Sequence, residues 1–147
     1  MKYPLLLLSV LALAGCGDSQ QAAYLISGGQ HSLTLARQQA FIGSDWETEL
    51  VVARFPDCQR RYPLPGVVGD RLKMDVYRTE PGVFILNVGK RWYVTETKTC
   101  RFEQFKEAPP APGEVIGSFQ VKDGALEYKS QEAPAAASPA PSSAAAQ

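Results

Sequence analysis

The sequence predicts an all-β domain, a small sandwich or barrel of about eight short, mostly antiparallel strands with one disulfide. Three observations predict it. Several short runs alternate apolar and polar residues, the period of a strand with one buried face. Clusters of Gly, Pro, Asn, Asp and Ser punctuate those runs at short intervals. No segment carries a helical stripe that excludes a strand.

Taken in order, Ala23 to Ser27 is apolar and ends at Gly28-Gly29. His31 to Phe41 contains Ser32-Leu33-Thr34-Leu35, which alternates as a strand does. Leu33, Ala36, Ala40 and Phe41 also fit a helical stripe, but Gly43-Ser44-Asp45 then turns the chain into Trp46 to Phe55, which favours a hairpin. In that second run Trp46, Thr48, Leu50 and Val52 share a face. Pro56 to Asp70 carries three prolines and is read as a connection. Arg71 to Thr79 places Leu72, Met74 and Val76 on one face, and Glu80-Pro81-Gly82 turns the chain into Val83 to Val88. A tight turn around Gly89 leads to Arg91 to Thr97, rich in aromatic and β-branched residues. Ala108 to Gly113, again proline-rich, is a loop. Val115 to Val121, Asp123-Gly124 and Ala125 to Lys129 form the clearest hairpin, because an Asp-Gly pair between alternating runs suits a type I′ turn.

The expected organisation is a signal segment over 1–15, a polar tether over 16–21, the β-domain over 22–130 and a disordered tail over 131–147. The tail is almost entirely Ala, Pro and Ser, which offers too little apolar surface to offset the entropy of ordering. The formal charge is zero, and the strongly basic body of a dedicated nucleic-acid binder is absent.

Lys2 precedes an apolar run from Leu5 to Ala14, about half the roughly 20 residues that span a bilayer. A charged start, a short apolar middle and small residues at the end make a secretory signal. Its end, Leu13-Ala14-Gly15-Cys16, resembles the lipobox of bacterial lipoprotein signal peptides, a likeness confined to the first 16 residues. The resemblance implies cleavage before Cys16, acylation of its thiol and a membrane anchor on the periplasmic side. Gly17 rather than aspartate follows the cysteine, which in enteric bacteria favours the outer over the inner membrane.

Cys58 and Cys100 remain. An exported chain meets an oxidising compartment, so this pair is expected to bridge. The closed loop of about 43 residues would contribute about 4 kcal/mol on chain-entropy grounds. A metal site or a redox pair fits poorly, with no Cys-x-x-Cys and His31 as the single histidine. For the two cysteines to meet, strands 46–55 and 91–97 should point the same way.

The usual catalytic sets do not assemble. His31 has no nucleophile elbow near it, and Asp45, Glu47 and Glu49 read as one solvated strand face. No catalytic, cofactor-binding or metal-binding residues are assigned. Between Leu50 and Lys106, however, eleven basic residues face six acidic ones. Arg60, Arg61, Arg71, Lys73, Tyr77, Arg91 and Tyr93 are the candidate partner-binding residues, because arginine and tyrosine suit interfaces. Arg71, Lys73, Tyr77, Arg91 and Tyr93 are expected to share one exposed face; Tyr62 and Tyr93 could instead cover the disulfide. The expected function is a non-enzymatic, lipid-anchored envelope protein with a protein, cell-wall or lipid-headgroup partner and no nucleic acid. The rival expectations are a hydrolase inhibitor and a small hydrolase. Bacterial lysozyme-inhibitor lipoproteins are small, all-β and disulfide-bonded, and the chain is similar to them in that architecture alone.

Overall fold

A computed structural model describes residues 17–131. The signal segment, Cys16 and all but the first residue of the tail therefore lie outside the described residues. Every regular element within them is a strand, as the alternation predicts. The order is β1 (Asp18–Ser27), β2 (His31–Gln39), β3 (Trp46–Arg54), β4 (Cys58–Pro63), β5 (Lys73–Glu80), β6 (Val83–Val88), β7 (Arg91–Glu96), β8 (Arg101–Gln104), β9 (Glu114–Lys122) and β10 (Ala125–Ser130).

The strands form two antiparallel sheets, β1-β2-β3-β4 and β10-β9-β5-β6-β7-β8. Their inner faces follow the alternation. Leu33 and Leu35 of β2 lie opposite Val52 and Leu50 of β3, and Met74 and Val76 of β5 lie opposite Phe119 of β9 and Leu86 of β6. All eight are buried and share one core with Phe84, Ile116 and Leu126. The 31–39 segment is a strand, so the helical alternative falls. The Asp123-Gly124 turn has φ of 50° and 79°, the two left-handed residues of a type I′ hairpin.

Both edges of the sandwich are closed. At one, Gln20 Oε1 accepts from Arg37 Nε at 3.0 Å and from the Leu126 amide at 3.1 Å, while Gln20 Nε2 donates to the Gly124 carbonyl at 2.8 Å. Tyr24 packs on Tyr128 with ring centroids 5.1 Å apart. At the other edge Cys58 and Cys100 are bridged, with Cα atoms 6.0 Å apart. Tyr62 donates its hydroxyl to the Cys100 carbonyl, and its ring stacks on Phe102, which stacks in turn on Tyr93. Strands β3 and β7 run in the same sense toward this bridge, as the pairing requires.

Four expectations need correction. Residues 18–21 of the expected tether belong to β1. An edge strand needs backbone pairing more than apolar side chains, and Asp18 to Gln21 pair with Gln39 to Ala36. The connection over Pro56 to Asp70 contains β4, so the chain first returns beside β3 and only then crosses between sheets. Its prolines do not interrupt pairing: Pro56 sits in the turn and Pro63 ends an edge strand, where proline is tolerated. A further strand, β8, follows Cys100 on the outer edge. Last, Arg71 precedes β5, which begins at Lys73.

The two ends of the sandwich differ. One gathers the start of β1, the β2–β3 connection, the crossing segment 64–72 and the β6–β7 and β9–β10 turns. The other carries the bridge and is tied by Phe55 N to Gln30 O at 2.9 Å and Thr97 N to Gly82 O at 2.9 Å.

Candidate functional site: a basic groove

The crossing segment is pinned before it reaches β5. Leu64 and Val67 are buried. The Leu64 amide donates to the Thr48 carbonyl at 2.8 Å, and Thr48 Oγ1 donates to the Val67 carbonyl at 2.6 Å. Arg37 Nη1 donates to the Gly69 carbonyl at 3.2 Å. Arg37 is itself buried over the Trp46 ring, its guanidinium carbon 4.0 Å from the centroid. Burial pulls its pKa down, opposed by the charges of Asp70 and Asp18.

Between this segment and the two-residue Gly89-Lys90 turn lies an open groove of about 630 Å³. Arg71, Lys73, Lys90 and Arg91 line it, and Asp75 is the acidic residue in its wall. Lys73 Nζ stands 3.2 Å from Asp75 Oδ1, so that pair neutralises itself. Among the described residues Arg71, Lys90 and Arg91 form no ion pair, which leaves three cations around one concavity. Asn87 Nδ2 holds the turn by donating to the Gly89 and Arg91 carbonyls at 3.1 and 3.0 Å. Gly66 lets the crossing segment lie against the Arg91 guanidinium; a Cβ there would stand 2.5 Å from Nη2. Val67, Val68, Leu72 and Val88 add apolar wall.

Three of the seven candidate partner-binding residues meet here: Arg71, Lys73 and Arg91. The expected exposed face does not exist as drawn. Leu86 pairs with Tyr93 and Val88 with Arg91, so both β7 residues point to the inner side. Tyr93 is 2 % exposed and cannot meet a partner. Its hydroxyl is buried without a hydrogen-bond partner among the described residues, and burial raises its pKa against the lowering charge of Arg91. Arg91 reaches the groove only because it stands at the end of the sheet.

Tyr77 lies on the outer side with Trp92, ring centroids 5.7 Å apart. Burial raises its pKa most, Asp75 adds to the rise and Lys73 opposes it. Arg60 and Arg61 belong to β4 in the other sheet, outside the groove. Arg61 is paired with Glu49, and Arg60 is exposed. Glu47 and Glu49 line a separate polar trough of about 410 Å³ on the outer side of that sheet. Gln38 Nε2 donates to Glu47 at 3.3 Å.

Lys90, Asn87 and the 66–68 backbone are groove residues that the sequence reading did not single out. The signal for Lys90 was present: a two-residue turn fixes the register, and so the face, of both flanking strands. Comparisons with protein-family models, with curated proteins and with solved structures find no match to this chain.

Proposed function

We propose that this chain is a non-enzymatic, lipid-anchored protein of the cell envelope that binds an anionic partner through the groove. The observation that carries the reading is the convergence of Arg71, Lys90 and Arg91, none of them ion-paired among the described residues, around one concavity. A solvated sheet face scatters its charges among counter-charges, whereas uncompensated cations in a concavity raise the local concentration of anions. The lipobox-like end of the signal supports the anchor, and Gly17 after Cys16 supports the outer membrane.

The test is charge reversal on the exposed rim, Arg71→Glu with Lys90→Glu. Both side chains are exposed, so folding should be unchanged by circular dichroism and thermal melting. A photo-cross-linker at Val68, 52 % exposed beside the groove, should capture an envelope partner in the wild type. The double reversal should lower that capture about tenfold, as expected for lost steering. Capture unaffected by the reversal overturns the reading.

A further inference from the structure

The β2–β3 connection carries an apolar pair that the fold does not use. Phe41 is 59 % exposed and Ile42 88 % exposed. The turn is closed by its polar groups alone. The Ser44 amide donates to the Phe41 carbonyl at 3.0 Å, Ser44 Oγ donates to the same carbonyl at 2.9 Å, and Gln39 Nε2 donates to the Ser44 carbonyl at 2.5 Å. Neither apolar side chain is needed for any of these bonds. Leu25, Phe55 and Val115 are also exposed, but singly and elsewhere, as is ordinary on protein surfaces.

The pair stands where the chain enters the fold. Asp18 pairs with Gln39 at the base of the same connection. Gly17 lies so close that a Cβ on it would stand 2.0 Å from the Gln39 carbonyl oxygen and 2.8 Å from that of Ala40. Cys16 is the next residue toward the N-terminus in the sequence. Val68 is exposed on the crossing segment at this same end, held there by the bonds from Thr48 and Arg37.

We propose that Phe41 and Ile42 form a membrane-seating tip: they enter the leaflet that holds the Cys16 lipid and fix the orientation of the domain on it. The inference rests on the lipid anchor of the proposed function and goes beyond it. An acyl chain alone tethers; two apolar side chains beside it add a second contact and remove rotational freedom. Asp18, Asp45 and Glu47 flank the tip, while Arg71, Lys90 and Arg91 stand at the same end, a mix of signs that suits a zwitterionic headgroup layer. The groove cations lie at the same end of the sandwich, which places the groove near the headgroups.

The test uses the full chain, produced in a lipoprotein-processing bacterium and reconstituted into phosphatidylethanolamine–phosphatidylcholine vesicles. With Cys16 acylated and Cys58 bridged to Cys100, Ile42→Cys supplies a single free thiol for an environment-sensitive fluorophore. Phe55→Cys, at the far end and 50 % exposed, is the matched control. Brominated phosphatidylcholine should quench the label at 42 at least about twofold more than the label at 55, as insertion to the headgroup–acyl boundary requires. Equal quenching at both positions, with mass spectrometry showing acylated Cys16, overturns the tip and leaves the anchor standing. A label at 42 that is shielded in detergent-solubilised oligomers and unquenched in vesicles assigns the pair to a second copy and also overturns it. An unmodified N-terminus removes the anchor itself, and the tip with it.

Discussion

His31 shows how a residue type associated with chemistry is absorbed by structure. It opens β2, and its Nε2 lies 2.8 Å from Thr97 Oγ1, a contact between the two sheets. Burial lowers its pKa, and the charge of Arg54 lowers it further. The folded protein therefore resists protonating this ring more than the unfolded chain does. The stabilisation is complete above the unfolded value of 6.5 and is lost as pH falls through 6.5 toward the folded pKa. Urea midpoints measured from about pH 8 to about pH 5 should fall on the acid side in the wild type. His31→Gln, which keeps a polar partner for Thr97, should flatten that part of the curve. An unchanged acid limb would assign the loss to carboxylates instead.

At the scale of elements, the edges of the sandwich decide its stability, because each sheet alone leaves an apolar face uncovered. The two edges are closed by different means. Cys58→Ala with Cys100→Ala reopens a 42-residue separation and should cost about 4 kcal/mol in chemical denaturation. Gln20→Ala leaves Arg37 Nε and the Leu126 amide without their shared acceptor and should cost about 1–3 kcal/mol. A smaller loss for the disulfide than for Gln20 would show that the β1–β10 edge dominates. These same edges mark the limit of what the sequence discloses. Central strands β2, β3 and β5 are legible because one face is buried and the side chains alternate, for β2 with the help of the Gly43-Ser44-Asp45 turn that follows it. Edge strands β4 and β8 and residues 18–21 of β1 are not, because their polar residues are satisfied by backbone pairing that no side-chain period reports. The groove was half legible for a related reason. Strand β6 is apolar on both sides, with Phe84, Ile85 and Leu86 all buried. Alternation there cannot say which side faces the core, so the sequence pattern alone leaves the inward side of Tyr93 and Arg91 undisclosed. Lys73 needed no such choice, since Leu72, Met74 and Val76 settle the side of β5.

Over the whole molecule, the proposed binding and seating features and the reinforcement occupy opposite ends. The start of β1, the Phe41-Ile42 tip and the cationic groove share one end, while the disulfide and the His31–Thr97 contact hold the other. Strand β10 runs from the first end to the second, so the chain leaves the fold on the side away from the tip. At the end of the described residues the Gln131 amide donates to the Ile116 carbonyl at 2.9 Å. Beyond that bond the sequence carries no apolar side chain larger than alanine except three prolines, so ordering it would cost about 1–2 kcal/mol per residue with little burial in return. Deleting residues 132–147 should therefore leave the melting temperature within about 2 °C of the full chain, a shift well below that of a 1 kcal/mol change in a domain of this size. The proposed membrane retention and groove cross-linking should also survive, since the proposed anchor and the groove belong to the opposite end. A larger loss of stability would place part of the tail on the sandwich, and a loss of cross-linking at constant stability would make the tail part of the partner-binding surface.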